Sequence, residues 1–222
     1  MQKMVESIEL KFRNVLLKLD PNKVKFIIIH HPGAIKASVQ DIHRWHLGNG
    51  WSGIGYNEYI TKSGKVYIGR GDKVGAHCAD SVTNYNPISY GICAEGDYNL
   101  EKTMPEQQFH ALIERIKVAQ AKFKNAIVVP HKQLTATSCP GKYFPWGRMI
   151  TELTLPILKL RSTGDAVKVL QRKLIQHGYF IGFVDGIFGL LTRRAVVKFQ
   201  RKNGLLADAI VGPITWSKLN SK

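Results

Sequence analysis

Two short apolar runs, each leading to histidine, constrain this chain most. Val24-Lys25-Phe26-Ile27-Ile28-Ile29 runs into His30 and His31, and Ala126-Ile127-Val128-Val129 is followed by Pro130 and His131. Apolar, β-branched runs this short read as buried strands rather than helices. Strands without hydrophobic alternation belong in a sheet covered on both faces. The pattern therefore predicts covered strands that deliver imidazoles to their ends.

Further elements fit the same class. Residues 38–47 carry a helical pattern, and Tyr56–Ile60 and Val66–Ile68 read as paired strands around Lys62-Ser63-Gly64. Ser89–Ala94 is another strand candidate. Thr103 and Glu106 have the spacing of a capping box, with Pro105 in the first turn and Phe109, Leu112, Ile113, Ile116 and Phe123 on one helical face. Residues 1–152 thus read as an α/β domain, a mixed β-sheet flanked by helices. Val5, Ile8, Phe12, Val15, Leu16 and Leu19 recur at helical spacing, so residues 1–20 are expected to open the domain as an amphipathic helix. The charges that interrupt it exclude an apolar signal-peptide core or a membrane span.

The remainder has a different grammar. Ala166-Val167-Lys168-Val169-Leu170-Gln171-Arg172-Lys173 recurs 29 residues later as Ala195-Val196-Val197-Lys198-Phe199-Gln200-Arg201-Lys202. Each copy precedes a glycine suited to stopping a helix, Gly178 or Gly204, and a third short helix is predicted from Pro213 through Trp216 and Leu219. Residues 157–222 therefore read as a small all-α three-helix domain.

The net charge is +16, with +7 on residues 1–155 and +9 on residues 156–222. A positive field of that size favours polyanionic partners, whether nucleic acid, acidic lipid or wall polymer, and marks the C-terminal part as the anchor. Cys78, Cys93 and Cys139 are odd in number and irregular in spacing, which gives no disulfide framework and suits synthesis in a reducing compartment.

His131 and Cys139 lie eight residues apart on one loop that continues into Pro140-Gly141. Imidazole and thiolate are ligands that zinc prefers, and a third from another strand end would leave one tetrahedral position for water. His30 or His31 is the natural third. Successive strand side chains face opposite ways, so one of the pair can reach a metal while the other packs.

Taken in order, IIIHHP, RWHLGNGWSGIGYNEYI, VGAHC, ISYGICAEGDYN and VVPHKQLTATSCPG resemble the zinc-dependent N-acetylmuramoyl-L-alanine amidases of the type-2 amidase and peptidoglycan-recognition-protein superfamily. The resemblance covers about residues 22–147. It implies Zn²⁺ held by His30, His131 and Cys139, with Tyr56 and Thr137 at the stations that contact the catalytic water or the developing oxyanion. Bound metal would bring the pKa of a water towards about 7 for attack on an amide carbonyl. Tyr56 would orient that water or assist the leaving amine, and Thr137 would donate to the oxyanion. Trp51, Arg70 and His77 match positions near the family's substrate groove. Where some amidases of this broader fold carry a glutamate base, this chain has Cys93, with Glu95 as the backup carboxylate. His43 and His46 are expected to be structural or groove residues.

LKLRSTGDAVKVLQRKL, GYFIGFVDGIFGLLTRRAVVKFQRKNGL and VGPITW resemble the three-helix peptidoglycan-binding domain of wall hydrolases, with Asp208-Ala209 where that family often has Asp-Gly. The combined expectation is an endolysin or autolysin that cuts between N-acetylmuramic acid and L-alanine in a Gram-positive wall. It would be made in the cytoplasm without a signal peptide and act at the wall after release. Anionic wall polymers are possible further partners; nucleic-acid binding and membrane insertion are not expected. The competing expectations are a peptidoglycan receptor that does not cut, and a basic nucleic-acid binder that uses Ala195–Lys202 as a recognition helix.

Overall fold

The computed structural model describes residues 5–6, 8–179 and 181–220. The chain divides into two compact units, Met1–Trp146 and Gly147–Lys222.

The first unit is built on six strands: β1 (Val5–Glu6), β2 (Phe26–His30), β3 (Glu58–Ile60), β4 (Val66–Ile68), β5 (Ser89–Ala94) and β6 (Ile127–Pro130). Their order across the sheet is β1-β4-β3-β5-β2-β6. β2 lies parallel to both β5 and β6, with Ile28 opposite Gly91 and Val129. β3 is parallel to β5 and antiparallel to β4, which makes the sheet mixed as expected. Because β2 and β6 are parallel and in register, the histidines after both runs arrive at the same edge. Crevices at the carboxyl ends of parallel strands are where open α/β sheets bind ligands.

Two helices cover opposite faces. α1 (Val39–Gly48) starts with a reciprocal cap, in which Asp41 N donates to Ser38 Oγ at 3.1 Å and Ser38 N to Asp41 Oδ2 at 2.8 Å. Its buried Val39 and Ile42 pack with Ile54, Tyr59 and Cys93. α2 (Glu106–Lys122) covers the other face with Phe109, Leu112, Ile113 and Ile116, all fully buried. Each such side chain contributes about 1.5–3 kcal/mol of burial, which holds α2 far more firmly than its cap. The expected Thr103 capping box does not form: the helix begins at Glu106 behind Pro105, and Thr103 lies too far upstream to serve as the cap. On this face Arg115 donates to both carboxylate oxygens of buried Glu58, at 2.7 and 2.6 Å, and Tyr90 Oη donates to Glu58 at 2.8 Å.

The N-terminal stretch departs from expectation. Instead of a helix over residues 1–20, Val5–Glu6 forms β1 beside β4, and the described residues 8–19 contain no helix. Residues 1–4 and 7 of that expectation lie outside the described residues. The segment finds tertiary hydrogen-bond partners: Arg13 N donates to Ser52 O, Leu19 N to Asp72 O and Val74 N to Leu17 O. Phe12 sets its ring edge-on to His43 at 5.3 Å. Val15 is 97% exposed, so the apolar periodicity did not correspond to a buried stripe.

In the second unit α3 (Trp146–Thr154) precedes α4 (Asp165–Gln176), α5 (Leu190–Lys202) and α6 (Pro213–Asn220). The repeat is a repeat of hydrogen bonding as well as of core positions. Gln171 Nε2 donates to Asp185 Oδ1 and Thr192 Oγ1 while its Oε1 accepts from Gly186 N. Gln200 Nε2 donates to Asp208 Oδ1 and Thr215 Oγ1 while its Oε1 accepts from Ala209 N. The departure at Asp208-Ala209 leaves this turn intact. Ala209 adopts φ 63°, matching Gly186 at φ 77°, a left-handed conformation that costs a non-glycine residue about 1–2 kcal/mol.

Candidate active site

The adjacent histidines separate by face. His30 Nδ1 lies 3.7 Å from Cys139 Sγ, whereas His31 Nδ1 accepts from Tyr98 N at 3.0 Å. The His31 backbone N–H instead donates to Cys139 Sγ at 3.4 Å. His131 follows β6 in a short 3-10 turn and brings its ring within 4.5 Å of His30, centroid to centroid. Ligand atoms of His30, His131 and Cys139 all lie within 4.8 Å of one another.

Their electrostatics suit a soft cation. Burial, followed by the neighbouring His77, His131 and His31, holds His30 well below the usual histidine range. Burial and then His31 also lower His131. Both rings are thus neutral and carry a lone pair at pH 7. Burial pushes the Cys139 thiol up to about 12, opposed by the His31 N–H. Two neutral imidazoles and a buried thiol converging within coordination range are a donor set that fits a metal ion, with the thiol giving up its proton on binding.

These residues line a cleft of about 280 Å³ together with Pro32, Gly33, His46, Trp51, Tyr56, Ala76, His77 and Thr137. Tyr56 is half-buried, its ring 5.2 Å from His30. Burial, then Cys93 and Cys139, keep its pKa well above the ordinary tyrosine value, so it remains a phenol. Thr137 is exposed and its Oγ1 accepts the Cys139 N–H at 3.2 Å, leaving the hydroxyl proton available. Trp51 stacks at a tilt on His46 at 4.6 Å.

Arg70 is not part of this cleft. Its Nε donates to Ile54 O at 2.7 Å and its Nη1 to Val74 O at 3.0 Å, and it lines a different depression with Glu58 and Arg115. The guanidinium braces the loops on either side of β3 and β4. Glu95 is likewise engaged elsewhere, accepting from Ala37 N at 3.1 Å and Lys62 N at 2.8 Å. His43 is enclosed by Lys11 O and Ile54 N, whereas His46 accepts from Gly55 N and faces the cleft, a difference that helical spacing alone did not carry.

Residues 20–142, more than half of the chain, match the N-acetylmuramoyl-L-alanine amidase family. The chain belongs to this family. Residues 163–219 match the family described as putative peptidoglycan binding domain. Peptidoglycan-recognition protein SC1a of Drosophila melanogaster is 34% identical over 135 residues, covering 55% of this chain and 70% of that protein. The endolysin of Enterobacteria phage K11 is 30% identical over 134 residues, covering 54% of this chain and 86% of its own. Among solved structures, N-acetylmuramoyl-L-alanine amidase LysC from Clostridium intestinale URNW superposes with a TM-score of 0.62 at 29% identity, over 68% of this chain and 98% of that one. The first unit is thus a peptidoglycan amidase domain and the second carries a peptidoglycan-binding domain. Among the described residues no helix is long and apolar enough to cross a membrane.

Proposed function

We propose that the protein is a zinc-dependent hydrolase of the amide bond between N-acetylmuramic acid and L-alanine, acting on bacterial cell walls as an endolysin or autolysin. The observation that carries this reading is the convergence of His30, His131 and Cys139 within 4.8 Å, in a cleft that also holds Tyr56 and Thr137. Zn²⁺ held there would act as a Lewis acid, polarising the amide carbonyl and lowering the pKa of a water to about 7.

The remaining chemistry belongs to the side chains. The phenolic Oη of Tyr56 orients the attacking water and passes a proton towards the leaving nitrogen. As the water oxygen adds to the carbonyl carbon and the C–N bond breaks, that nitrogen departs as the free amine of L-alanine. Thr137 Oγ1, whose lone pair is taken by the Cys139 N–H, donates its hydroxyl proton to the developing oxyanion. Trp51, backed by the tilted ring of His46, offers an aromatic face for the sugar and lactyl groups. The intact donor set favours cutting over the receptor reading.

The second unit supports anchoring to a polyanionic Gram-positive wall. The exposed face of α5 carries Arg193, Arg194, Lys198, Arg201 and Lys202 with no acidic residue on the helix. The unit's acids are engaged elsewhere: Glu152 with Arg148, Asp165 with Lys168, and Asp185 and Asp208 in the two glutamine-centred turns. Arg194 and Lys198 are four residues apart, which sets these cations about 6 Å apart along the axis.

Digestion of purified Gram-positive peptidoglycan with and without chelator, read by mass spectrometry, tests the reading. Stem peptides released with a free L-alanine amine, lost on chelation and restored by Zn²⁺, are expected. Wall binding without cleavage would establish the receptor instead.

A further inference from the structure

We infer that His77 is a positioning residue for His30, accepting the Nε2–H of that ring and so turning its Nδ1 lone pair towards Cys139. The inference rests on the zinc reading above and deepens it. It gives His77 a different role from the substrate contact that the sequence suggests.

His30 Nε2 and His77 Nδ1 are 3.0 Å apart, with the rings edge-on at 4.9 Å between centroids. On the other side of the His30 ring, Nδ1 faces Cys139 Sγ at 3.7 Å. A neutral imidazole carries one proton. For Nδ1 to offer its lone pair to a cation, the proton must sit on Nε2, and Nε2 must then donate to His77 Nδ1. The His77 proton is thereby driven onto its own Nε2.

That atom is buried and has no hydrogen-bond partner among the described residues. An orphaned N–H in a closed site is a cost that a phenylalanine in the same place would not carry, so packing alone does not account for a histidine here. The cost follows directly from the tautomer that His30 requires. Partners that fix the tautomer and orientation of a ligating imidazole are a general feature of metal sites.

The surroundings hold the His77 ring in place. A Cβ on Gly75 or Gly91 would come within 2.3 or 2.6 Å of His77 Cδ2, so the ring occupies a slot that two glycines leave open. Gly91 is a β5 residue in register with Ile28 of β2, two positions before His30. The His77 backbone N–H is fixed by Asn86 Oδ1 at 2.8 Å. His77 as a whole residue is 7% exposed, which leaves it little room to meet a substrate.

The test is a competition for Zn²⁺ between the full-length protein and a chromogenic chelator at neutral pH, with melting temperature, kcat and KM measured on the same samples. His77→Phe is expected to weaken zinc binding about 10–100-fold without lowering the melting temperature of the metal-free protein. His77→Asn, whose Oδ1 takes the place of Nδ1, should stay within about threefold of the unsubstituted protein. Cys139→Ala, the reference for a lost ligand, should bind no zinc at the site. Should His77→Phe fail to fold, His77→Gln carries the same expectation, since its amide reaches the Nε2 position and leaves Nδ1 empty. Unchanged zinc affinity in His77→Phe beside its loss in Cys139→Ala would overturn the inference alone. So would an equal loss in His77→Asn, or a raised KM at unchanged zinc affinity. An unsubstituted protein that binds no zinc would overturn the zinc reading and this inference with it.

Discussion

Asn57, the residue after Tyr56, is completely buried and spends its whole side chain on backbone groups. Its Nδ2 donates to Gly71 O and Lys73 O, both at 2.8 Å, and its Oδ1 accepts from Gly91 N at 2.7 Å. Its own backbone N donates to Gly91 O at 2.9 Å, so Asn57 prolongs the β3 pairing with β5 by one residue past the end of the strand. Asn57→Leu keeps the number and branching of the side chain's heavy atoms and removes all three side-chain bonds. Leaving the buried Gly91 N–H unpaired costs about 1–3 kcal/mol, and each of the two half-buried carbonyls loses a bond of net worth about 1 kcal/mol. The expected destabilisation is therefore about 4 kcal/mol, a large share of the roughly 5–15 kcal/mol that holds a domain folded. Urea unfolding followed by tryptophan fluorescence and circular dichroism should show a lower midpoint at unchanged slope for the amidase transition. A loss below about 1 kcal/mol would show that water or loop movement replaces these bonds, and would refute the idea that Asn57 ties the Tyr56 station to Gly91 and the loop at residues 71–73.

Three further outcomes are expected. Tyr56→Phe should keep zinc and lower kcat by about 10²–10⁴-fold; equal turnover in the two proteins would remove Tyr56 from proton transfer. Converting Arg194, Lys198 and Arg201 together to Gln should weaken binding to purified walls at low salt and flatten its salt dependence, and an unchanged salt profile in a pull-down would move the anchor off α5. The third concerns pH. Burial, then Arg70 and His43, bring His46 down to about 4, below its unfolded value of 6.5. Between those values the unfolded chain takes up a proton that the folded one refuses, so stability is full above about pH 6.5 and falls with decreasing pH by up to about 1.4 kcal/mol per unit. Thermal melts of His46→Gln should show a shallower acid-side slope than the parent, and an identical slope would count against a buried neutral His46.

Strands and donors were legible in the sequence wherever the deciding interaction was local. Val24–Ile29 reads as a covered strand and Ile27, Ile28 and Ile29 are fully buried, whereas Ala126–Val129 is covered only towards its end, because β6 is an edge strand and Ile127 is 56% exposed. His131 and Cys139 share one loop, so their proximity required little of the rest of the fold. The 29-residue repeat announced a helical module because its aliphatic positions recur at helix spacing, and Gln171 and Gln200 occupy equivalent places for the same reason.

Tertiary structure decided what distant segments did to one another. His30 and His31 carry the same chemistry, and only the face each presents makes one a neighbour of Cys139 Sγ and the other a partner of Tyr98. Arg70 sits in a stretch that resembles a groove, yet two backbone carbonyls claim its guanidinium. The apolar periodicity near the N-terminus suggested a helix, but backbone hydrogen bonds to the Ser52 and Asp72 carbonyls and from the Val74 N–H drew the chain into an irregular path. The contact between His77 and His30 joins residues 47 positions apart through a slot that exists only because Gly75 and Gly91 have no side chains. Periodicity reports the balance of burial along one segment, whereas a side chain's partner depends on which other segments the sheet brings against it.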